Sequence, residues 1–445
     1  MVVLNKKEPF LVFVGDIIIF SISLWLSLFI RNGRIPNNSD FSNYILPFAI
    51  LFVLWVLVFY IAGLYDKYTT ILKDRLFGIV FNTQIVNSAI AVFFFYFMPF
   101  FGIAPKTILF IYIFVSFVLV YTWRVYSNYV FSLKRKEQAI LIGSGEEMRR
   151  LESEINNNSR ANLYFESVVD LEKISDIDFD NDILKKISSK DSVIVIDINN
   201  EKIEGILPHL YNLIFSNVVF VDFSKLYADV FDRIPLSLLK YNWFIENISL
   251  KKNNIYDFLK RITDLIFALF FGFFSLVLYP FVYLAIKMDD RGQVFIFQER
   301  IGKGGKIIKI PKFRSMKISD GGKWLEKDDQ RITRVGRFIR KARIDELPQL
   351  LSVIKGDMSL IGPRPDIYNL GIDLVKKIPY YSIRNIIKPG LSGWAQIKQD
   401  VVPQSVEETR DRLSYDLYYI KNRSLFLDLK IALRTIQILL SRTGR

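Results

Sequence analysis

The chain has 445 residues, of which 51% are hydrophobic and 15% are aromatic. A mean hydropathy of +0.25 and 39 phenylalanines are too apolar for an ordinary soluble enzyme, so part of the chain is expected to lie in a bilayer. Because the chain has no cysteine, disulfides, thiolate zinc sites and cysteine nucleophiles are excluded. The single histidine, His209, excludes a multi-histidine metal site and is interpreted as an ordinary surface or half-buried residue.

Charge is distributed unevenly along the chain. Residues 1–250 carry 23 basic and 25 acidic side chains, whereas residues 251–445 carry 36 basic and 20 acidic ones, a balance of −2 against +16. The C-terminal part is therefore expected to face an anionic partner, such as lipid headgroups or a phosphorylated substrate. Nucleic acid is the weakest of these options, because the basic region adjoins an apolar segment.

Four apolar segments near the N-terminus are each long enough to cross about 30 Å of hydrocarbon. Basic residues flank the set on both sides, at Lys6 and Lys7 and again at Lys134–Lys136, so the positive-inside rule places both ends in the cytoplasm. Asp16, inside the first segment, is interpreted as an inward-facing polar contact rather than an ion site. The predicted spans are Phe10–Ile30, Tyr44–Gly63, Phe77–Phe100 and Thr107–Trp123.

Residues 137–250 have the pattern of a soluble α/β domain. Short apolar runs predict strands, and Gly143-Ser144-Gly145 after the first one gives a Rossmann-like pattern. The dinucleotide fingerprint is poor, because Met148 replaces the third glycine and Glu146-Glu147 would repel a pyrophosphate. A structural or regulatory domain is therefore favoured over an NAD-binding one. The predicted strands are Gln138–Ile142, Ser192–Ile198 and Val218–Asp222.

A fifth apolar run, Ile262–Met288, is long enough to span the membrane, yet basic residues flank it on both sides. Pro280 interrupts it, because proline lacks a backbone donor and clashes with the preceding turn. At 1.5 Å per residue the two legs would be about 27 and about 12 Å long. The sequence therefore predicts a re-entrant hairpin that enters and leaves on the cytoplasmic face.

Motifs crowd the basic region after this run. The segment 302–306 is interpreted as a hairpin turn between strands at Val294–Gln298 and Ile307–Ile310, because its glycine spacing does not fit a phosphate loop. Further motifs follow in chain order: Lys312-Phe313-Arg314-Ser315-Met316, Asp345-Glu346-Leu347-Pro348-Gln349-Leu350, Gly362-Pro363-Arg364-Pro365, and Lys388-Pro389-Gly390-Leu391-Ser392-Gly393-Trp394-Ala395-Gln396.

These segments, in this order, resemble the bacterial polyprenyl-phosphate sugar-1-phosphate transferases over about residues 255–445. The resemblance to the large members of that family implies three parts: a four-span membrane helical bundle (1–136), a soluble Rossmann-like α/β domain (137–250), and a mainly α catalytic domain (251–445) with a re-entrant membrane helix at 262–288. The family breaks that helix at Ser-Pro. Here the pair is Tyr279-Pro280, so the proline is kept and the serine is not.

The residues themselves also suggest a chemistry. Asp345 and Glu346 are adjacent carboxylates near Arg340 and Arg343, and neighbouring cations are expected to keep a carboxylate ionised and available as a nucleophile. Arg364 lies between two prolines, whose stiff backbone suits a fixed phosphate clamp.

By resemblance, Asp345 is the covalent nucleophile and a Mg²⁺ ligand, and Glu346 assists it. Arg340 and Arg364 would hold phosphate, with Lys312 and Arg314 as further phosphate contacts. A carboxylate together with substrate oxygens is a usual way to hold Mg²⁺.

The expected reaction transfers a sugar-1-phosphate from a UDP-sugar to undecaprenyl phosphate and releases UMP, the first step of exopolysaccharide, lipopolysaccharide O-antigen or capsule synthesis. The enzyme would be a multi-pass protein of the bacterial inner membrane with its active site facing the cytoplasm. The bundle and the middle domain offer surfaces for a homodimer. Two alternatives stay open: a membrane-tethered nucleotide-sugar oxidoreductase, and a non-enzymatic regulator of polysaccharide assembly.

Overall fold

The structure is a computed structural model, and its described residues fall into two compact units, Met1–Leu226 and Tyr227–Arg445. Lys6, Lys134, Arg135 and Ser192 lie outside the described residues, as does the end of the predicted third span, and the side chain of His209 is not described. The described residues are 7–65, 71–97, 106–132, 136–158, 161–172, 193–198, 200, 203–204, 207–215, 218–248, 254–317, 331–399 and 402–440.

The first unit begins with four apolar helices, each long and apolar enough to cross a membrane, which confirms the four predicted spans. Their common core is aromatic, and Trp55 donates a hydrogen bond from Nε1 to the main-chain oxygen of Asn87 at 3.0 Å. The helices are α1 (Lys7–Asn32), α2 (Asn38–Ile61), α3 (Ile71–Phe97) and α4 (Lys106–Ser132).

A buried ion pair joins the first and last of these helices. Asp16 on α1 is fully buried and pairs with Arg124 on α4. Tyr65 Oη donates to Asp16 at 2.7 Å, and Arg124 Nη1 donates to the main-chain oxygen of Leu64 at 2.6 Å. Asp16 is therefore an inward-facing contact of the bundle, as its position in an apolar helix suggested.

A four-stranded parallel sheet with helices follows in the same unit, with strand order β2-β1-β3-β4. The predicted first and last strands match β1 and β4, and the predicted middle one matches β3. The elements are β1 (Glu137–Gly143), α5 (Gly145–Asn157), β2 (Leu163–Asp170), β3 (Val193–Ile196), α6 (Leu207–Asn212), a 3₁₀ turn (Leu213–Phe215) and β4 (Val219–Asp222). Helix α7 (Phe223–Phe231) follows, and the division between the two units falls within it.

Helix α8 (Tyr241–Asn247) lies in the second unit, and its Trp243 is buried in a core that also contains Leu374 and Leu417 of the same unit. The sequence grouping placed this segment in the middle domain, and the division at residue 250 stays a prediction. Apart from the two helices of the fifth apolar run, the remaining elements are β5 (Phe295–Ile301), β6 (Ile307–Phe313), α11 (Arg334–Lys341), α12 (Leu350–Lys355), β7 (Ser359–Ile361), α13 (Tyr368–Lys377), β8 (Gly390–Ser392), α14 (Trp394–Lys398), α15 (Val406–Lys421) and α16 (Leu425–Leu440).

The fifth apolar run folds as two helices, α9 (Asn254–Leu276) and α10 (Tyr279–Asp290), bent by 55° at a short break. Pro280 lies in the first turn of α10, where its missing N–H costs no helical hydrogen bond. Both legs expose large apolar side chains, including Phe273 and Phe281. An exposed apolar surface of this kind needs lipid or protein to cover it.

The β5–β6 hairpin is antiparallel, and residues 302–306 form its turn, as predicted. Gly302 N–H donates to Lys306 O at 2.7 Å, which closes the turn. The hairpin register places Lys312 opposite Ile296, and the two-residue alternation of a strand puts Ile310 on the same face. Ile310 is buried against α9 and α12, so this face of the hairpin looks into the unit.

Candidate functional site

Asp345 and Glu346 lie on a single 3₁₀ segment, Ile344–Gln349, that packs against β6. Helix α11 ends just before it, and Arg343 turns the chain with a left-handed φ of 55°. Pro348 within the segment cannot donate a helical hydrogen bond, and α12 begins directly afterwards. The segment is half-buried from Ile344 to Leu347 and buried at Pro348 and Gln349.

Glu346 is held by two arginines. Its Oε1 accepts from Arg364 Nη2 at 2.7 Å, and its Oε2 accepts from Arg343 Nη1 at 3.4 Å. Burial alone would raise the pKa of Glu346, but Arg364, Lys312 and Arg343 together hold that pKa well below its usual range. Glu346 is therefore a fixed anion at any physiological pH.

Asp345 differs from its neighbour. No described side chain hydrogen-bonds to its carboxylate, and burial together with the charge of Glu346 raises its pKa to about 6 against the opposing effect of Lys312, Arg340 and Arg364. The sequence argument expected nearby cations to dominate at both carboxylates; at Asp345, desolvation and the adjacent anion outweigh them. At neutral pH Asp345 is an ionised carboxylate whose oxygens are not engaged.

Lys312, on β6, is a cation that interacts with both Asp345 and Glu346. Burial and the charge of Arg300 lower its pKa to about 8, while Glu346 acts in the opposite direction. A desolvated ammonium beside two carboxylates is a compact point charge suited to a phosphate oxygen. The lysine thus has a titration within reach of ordinary assay conditions.

The six residues selected from sequence do not all meet. Asp345, Glu346, Lys312 and Arg364 act on one another electrostatically, and Arg340, in the last turn of α11, acts on Asp345. Arg314 follows the end of β6, and its Nε and Nη2 donate to the main-chain oxygens of Met316 and Lys317 at 3.1 and 3.2 Å. The guanidinium of Arg314 thus stabilises the backbone of the two or three residues that follow it.

Arg364 is carried by a loop that two distant motifs build together. Strands β7 and β8 pair in parallel, and Gly362 N–H donates to Ser392 O at 2.8 Å while Gly390 N–H donates to Pro363 O at 2.9 Å. A Cβ added to Gly390 would lie 2.1 Å from the nitrogen of Gly362, so this approach requires glycine. The motifs at 362–365 and 388–396 are therefore one structural unit.

The sequence reasoning missed the charged groups behind this loop. Asp366 and Arg384 are buried and paired, and Arg412 and Asp416 on α15 belong to the same cluster. The available signal was the position of Arg384 among isoleucines, since an arginine in an apolar segment is rarely buried without a carboxylate.

A second missed residue is Arg300 on β5. Its Nη1 donates to Pro365 O at 3.0 Å and its Nη2 donates to Gln298 Oε1 at 2.6 Å. Arg300 therefore touches the loop of Arg364 and also influences Lys312.

A divalent cation was expected at Asp345. Among the described residues no group of three or more His, Asp and Glu side chains could hold a metal ion by itself. Mg²⁺ commonly binds through one or two carboxylates and the phosphates of its substrate, and the unengaged oxygens of Asp345 fit that arrangement. Glu346 fits it less well, because arginines occupy both of its oxygens.

Comparison with known proteins gives a family model and several similar proteins. A family model described as bacterial sugar transferase matches residues 255–442. The UDP-N-acetylgalactosamine-undecaprenyl-phosphate N-acetylgalactosaminephosphotransferase of Aeromonas hydrophila is 42% identical over 200 residues, which cover 44% of this chain and 47% of that protein.

Two further relatives are covered over more of their length. The UDP-glucose:undecaprenyl-phosphate glucose-1-phosphate transferase of Caulobacter vibrioides is 40% identical over 42% of this chain and 71% of its own. The exopolysaccharide production protein PSS of Rhizobium leguminosarum is 38% identical over 40% of this chain and 98% of its own. The chain thus spans about half of the Aeromonas relative and nearly all of the Rhizobium one.

Proposed function

Because the chain belongs to the bacterial sugar transferase family, we propose that it transfers a sugar-1-phosphate from a UDP-sugar to undecaprenyl phosphate, releasing UMP. The reaction would begin the assembly of a bacterial polysaccharide. The names of the relatives support both substrates. Within the site, the observation that carries the proposal is the contrast between two adjacent carboxylates, one fixed by arginines and one unengaged.

In the first step an oxygen of Asp345 attacks the β-phosphorus of the UDP-sugar. The bond from that phosphorus to the bridging oxygen breaks, and UMP leaves with the electron pair. The product is a phospho-sugar joined to Asp345 as an acyl phosphate. Ionisation with a pKa of about 6 leaves this carboxylate charged at neutral pH and more basic than an ordinary aspartate.

In the second step an oxygen of undecaprenyl phosphate attacks the same phosphorus. The bond to Asp345 breaks, the carboxylate is restored, and undecaprenyl-diphospho-sugar leaves. Arg364 and Lys312 neutralise negative charge on the phosphates in both steps, and Glu346 fixes Arg364 in place. Both nucleophiles, the Asp345 carboxylate and the phosphate of undecaprenyl phosphate, attack as anions. Neither step therefore requires a general base to remove a proton from the nucleophile.

We propose Mg²⁺ as the cofactor, with Asp345 and substrate phosphate oxygens as its ligands. When bound, Mg²⁺ would supply Lewis-acid stabilisation of negative charge at phosphorus. The residues of the chain hold the substrate, exclude water and provide the nucleophile.

We further propose that α9 and α10 form a re-entrant hairpin, that the active site faces the cytoplasm, and that the membrane is the inner one. Support comes from the 55° bend, the exposed apolar legs and the basic residues on both flanks. The parallel sheet of the first unit supports a Rossmann-like domain, and its structural or regulatory role stays a prediction from the poor dinucleotide fingerprint. The homodimer stays a prediction.

Topology can be tested with single cysteines, since the natural chain has none. Glu246→Cys and Lys303→Cys flank the hairpin at exposed positions and are expected to react with an impermeant maleimide only after cells are permeabilised. Asn32→Cys, at the exposed C-terminal end of α1, should react without permeabilisation and serves as the matched control. Labelling of Lys303→Cys from outside would show a full span instead.

The titration of Lys312 predicts an alkaline limb. A lysine with a lowered pKa keeps its charge below that pKa and loses it as the pH rises through it, so kcat/KM should fall above about pH 8. Lys312→Arg keeps a charge that does not titrate there, and the variant should lose the limb even if its rate is lower. A limb at the same pH in both proteins would assign it to another group.

The proposal itself is tested by incubating the full-length protein with undecaprenyl phosphate, Mg²⁺ and a series of UDP-sugars, and by measuring UMP release. One sugar or a few are expected to give release that depends on the lipid phosphate for repeated turnover. Release no greater than that of an Asp345→Asn preparation, for every UDP-sugar, would contradict the function.

A further inference from the structure

The loop that carries Arg364 ends at a buried cluster of charges. Arg384 is only 2% exposed, and its guanidinium contacts four acceptors at once, one of which is Tyr381 Oη at 3.0 Å from Nη1. Its Nε donates to Asp416 Oδ2 at 3.0 Å, its Nη1 pairs with Asp366, and its Nη2 donates to the main-chain oxygen of Arg364 at 2.8 Å. The buried Arg384 thus donates one hydrogen bond directly to the main chain of Arg364, the proposed phosphate-binding residue.

Asp366 is fixed from a second direction. Its Oδ1 accepts from Arg412 Nη2 at 2.6 Å, and its Oδ2 accepts from Tyr381 Oη at 2.9 Å. Burial would raise the pKa of Asp366, but Arg384 and Arg412 hold it well below its usual range. The aspartate therefore stays ionised, and the two arginines keep a permanent partner two residues beyond Arg364.

The stiffness of the loop carries this restraint to the guanidinium of Arg364. Pro363 and Pro365 fix φ on either side, so holding the carbonyl of Arg364 leaves its backbone little freedom. At its other end the Arg364 side chain donates to Glu346 at 2.7 Å. The chain of contacts runs from α15 through Arg384 to Arg364 and ends at the carboxylate beside Asp345.

We propose that Arg384 and its partner Asp366 are positioning residues that set Arg364 for phosphate binding, in addition to any part they have in stability. The inference rests on the proposed function, in which Arg364 holds a substrate phosphate. A buried ion pair often adds little to the net stability of a protein. The hydrogen bond from Arg384 to the main-chain oxygen of Arg364, by contrast, directly restrains the position of a residue that binds phosphate.

A double-mutant cycle separates positioning from stability. Arg384→Lys keeps the charge but loses the planar fork that reaches four acceptors, and kcat/KM for the UDP-sugar should fall about tenfold to 10²-fold. In an Arg364→Lys background the same substitution should cost less than about twofold further, because the positioned group is already lost. The KM for undecaprenyl phosphate should change less than kcat/KM for the UDP-sugar.

Binding of UDP, measured by calorimetry on the full-length protein, gives a readout that does not need turnover. If the wild-type protein releases no UMP, the proposed function is contradicted. The positioning role can still be tested in that case, because the same double-mutant cycle can be measured as changes in the affinity for UDP. Arg150→Met breaks the exposed pair between Arg150 and Glu146, 2.6 Å apart on α5 of the first unit, and is the control for general loss of an ion pair.

Should Arg384→Lys fail to fold, Arg412→Lys addresses the same aspartate from a less buried position. A loss of kcat/KM on Arg412→Lys that is smaller in the Arg364→Lys background than in the wild-type background supports the proposal in the same way. Equal losses in both Arg364 backgrounds, or UDP affinity and kcat/KM that stay at wild-type levels in a folded variant, would overturn it.

Discussion

Asp345→Asn is expected to abolish turnover, with kcat falling at least about 10³-fold, or roughly 4 kcal/mol in the barrier. The substitution keeps the shape of the side chain but removes the charge and the nucleophilic oxygen. UMP release before addition of undecaprenyl phosphate should disappear as well, because the first step itself is lost. Rapid-quench measurement of UMP with and without the lipid phosphate is the direct check.

Two neighbours serve as controls for this experiment. Glu346→Gln should slow transfer less completely, because it loosens Arg364 but leaves Asp345 in place. Asp357→Asn changes an exposed carboxylate and should leave the rate unaltered. Near-normal turnover of Asp345→Asn, or initial rates that fit only a ternary complex instead of a ping-pong scheme, would point to direct transfer between the two substrates.

Arg124→Leu is expected to destabilise the four-helix bundle by about 3–5 kcal/mol, because it leaves Asp16 buried without its counter-charge. The guanidinium also lies over the rings of Tyr65 and Phe59, at 4.9 and 5.6 Å, so those contacts disappear too. The loss should appear as a lower unfolding temperature in detergent and a lower yield of folded protein from membranes.

The double variant Asp16→Leu with Arg124→Leu distinguishes an uncompensated charge from simple loss of packing. Removing both charges should restore much of the lost stability, because apolar residues can replace a buried ion pair at little cost. Arg150→Leu removes one partner of an exposed pair with Glu146 and should change stability by less than about 1 kcal/mol. A double variant no better than Arg124→Leu alone would assign the effect to packing.

Local patterns predicted much of the fold. The four spans, the turn at 302–306 and the break before Pro280 follow from apolar run length, glycine spacing and proline chemistry, each within one short stretch of chain. The charged residues of the motifs could also be selected one by one. Such features depend on neighbours in sequence, which is why no long-range contact was needed to find them.

The arrangement of the site could not be predicted in the same way. Glu346 and Asp345 are chemically similar and adjacent, and Glu346 becomes a fixed anion largely through Arg364, 18 residues away, and Lys312 on β6, with Arg343 beside it in sequence. Lys312 and Arg314 are two residues apart and would share one face of a continuous strand. The strand ends at Phe313, however, and the two side chains have different partners. The support from Arg384 depends on a segment far beyond the motif it holds.

The contact between Gly362 and Gly390 limits how this protein can diverge over time. A Cβ at Gly362 would lie 2.7 Å from Lys388 O, and one at Gly390 would meet Gly362 itself, so neither position can gain even a methyl group without separating β7 from β8. Separation would carry Arg364 away with its loop. Natural variation should therefore leave both glycines untouched while the exposed positions around them drift, and a chain that has lost one of them should also have lost the clamp.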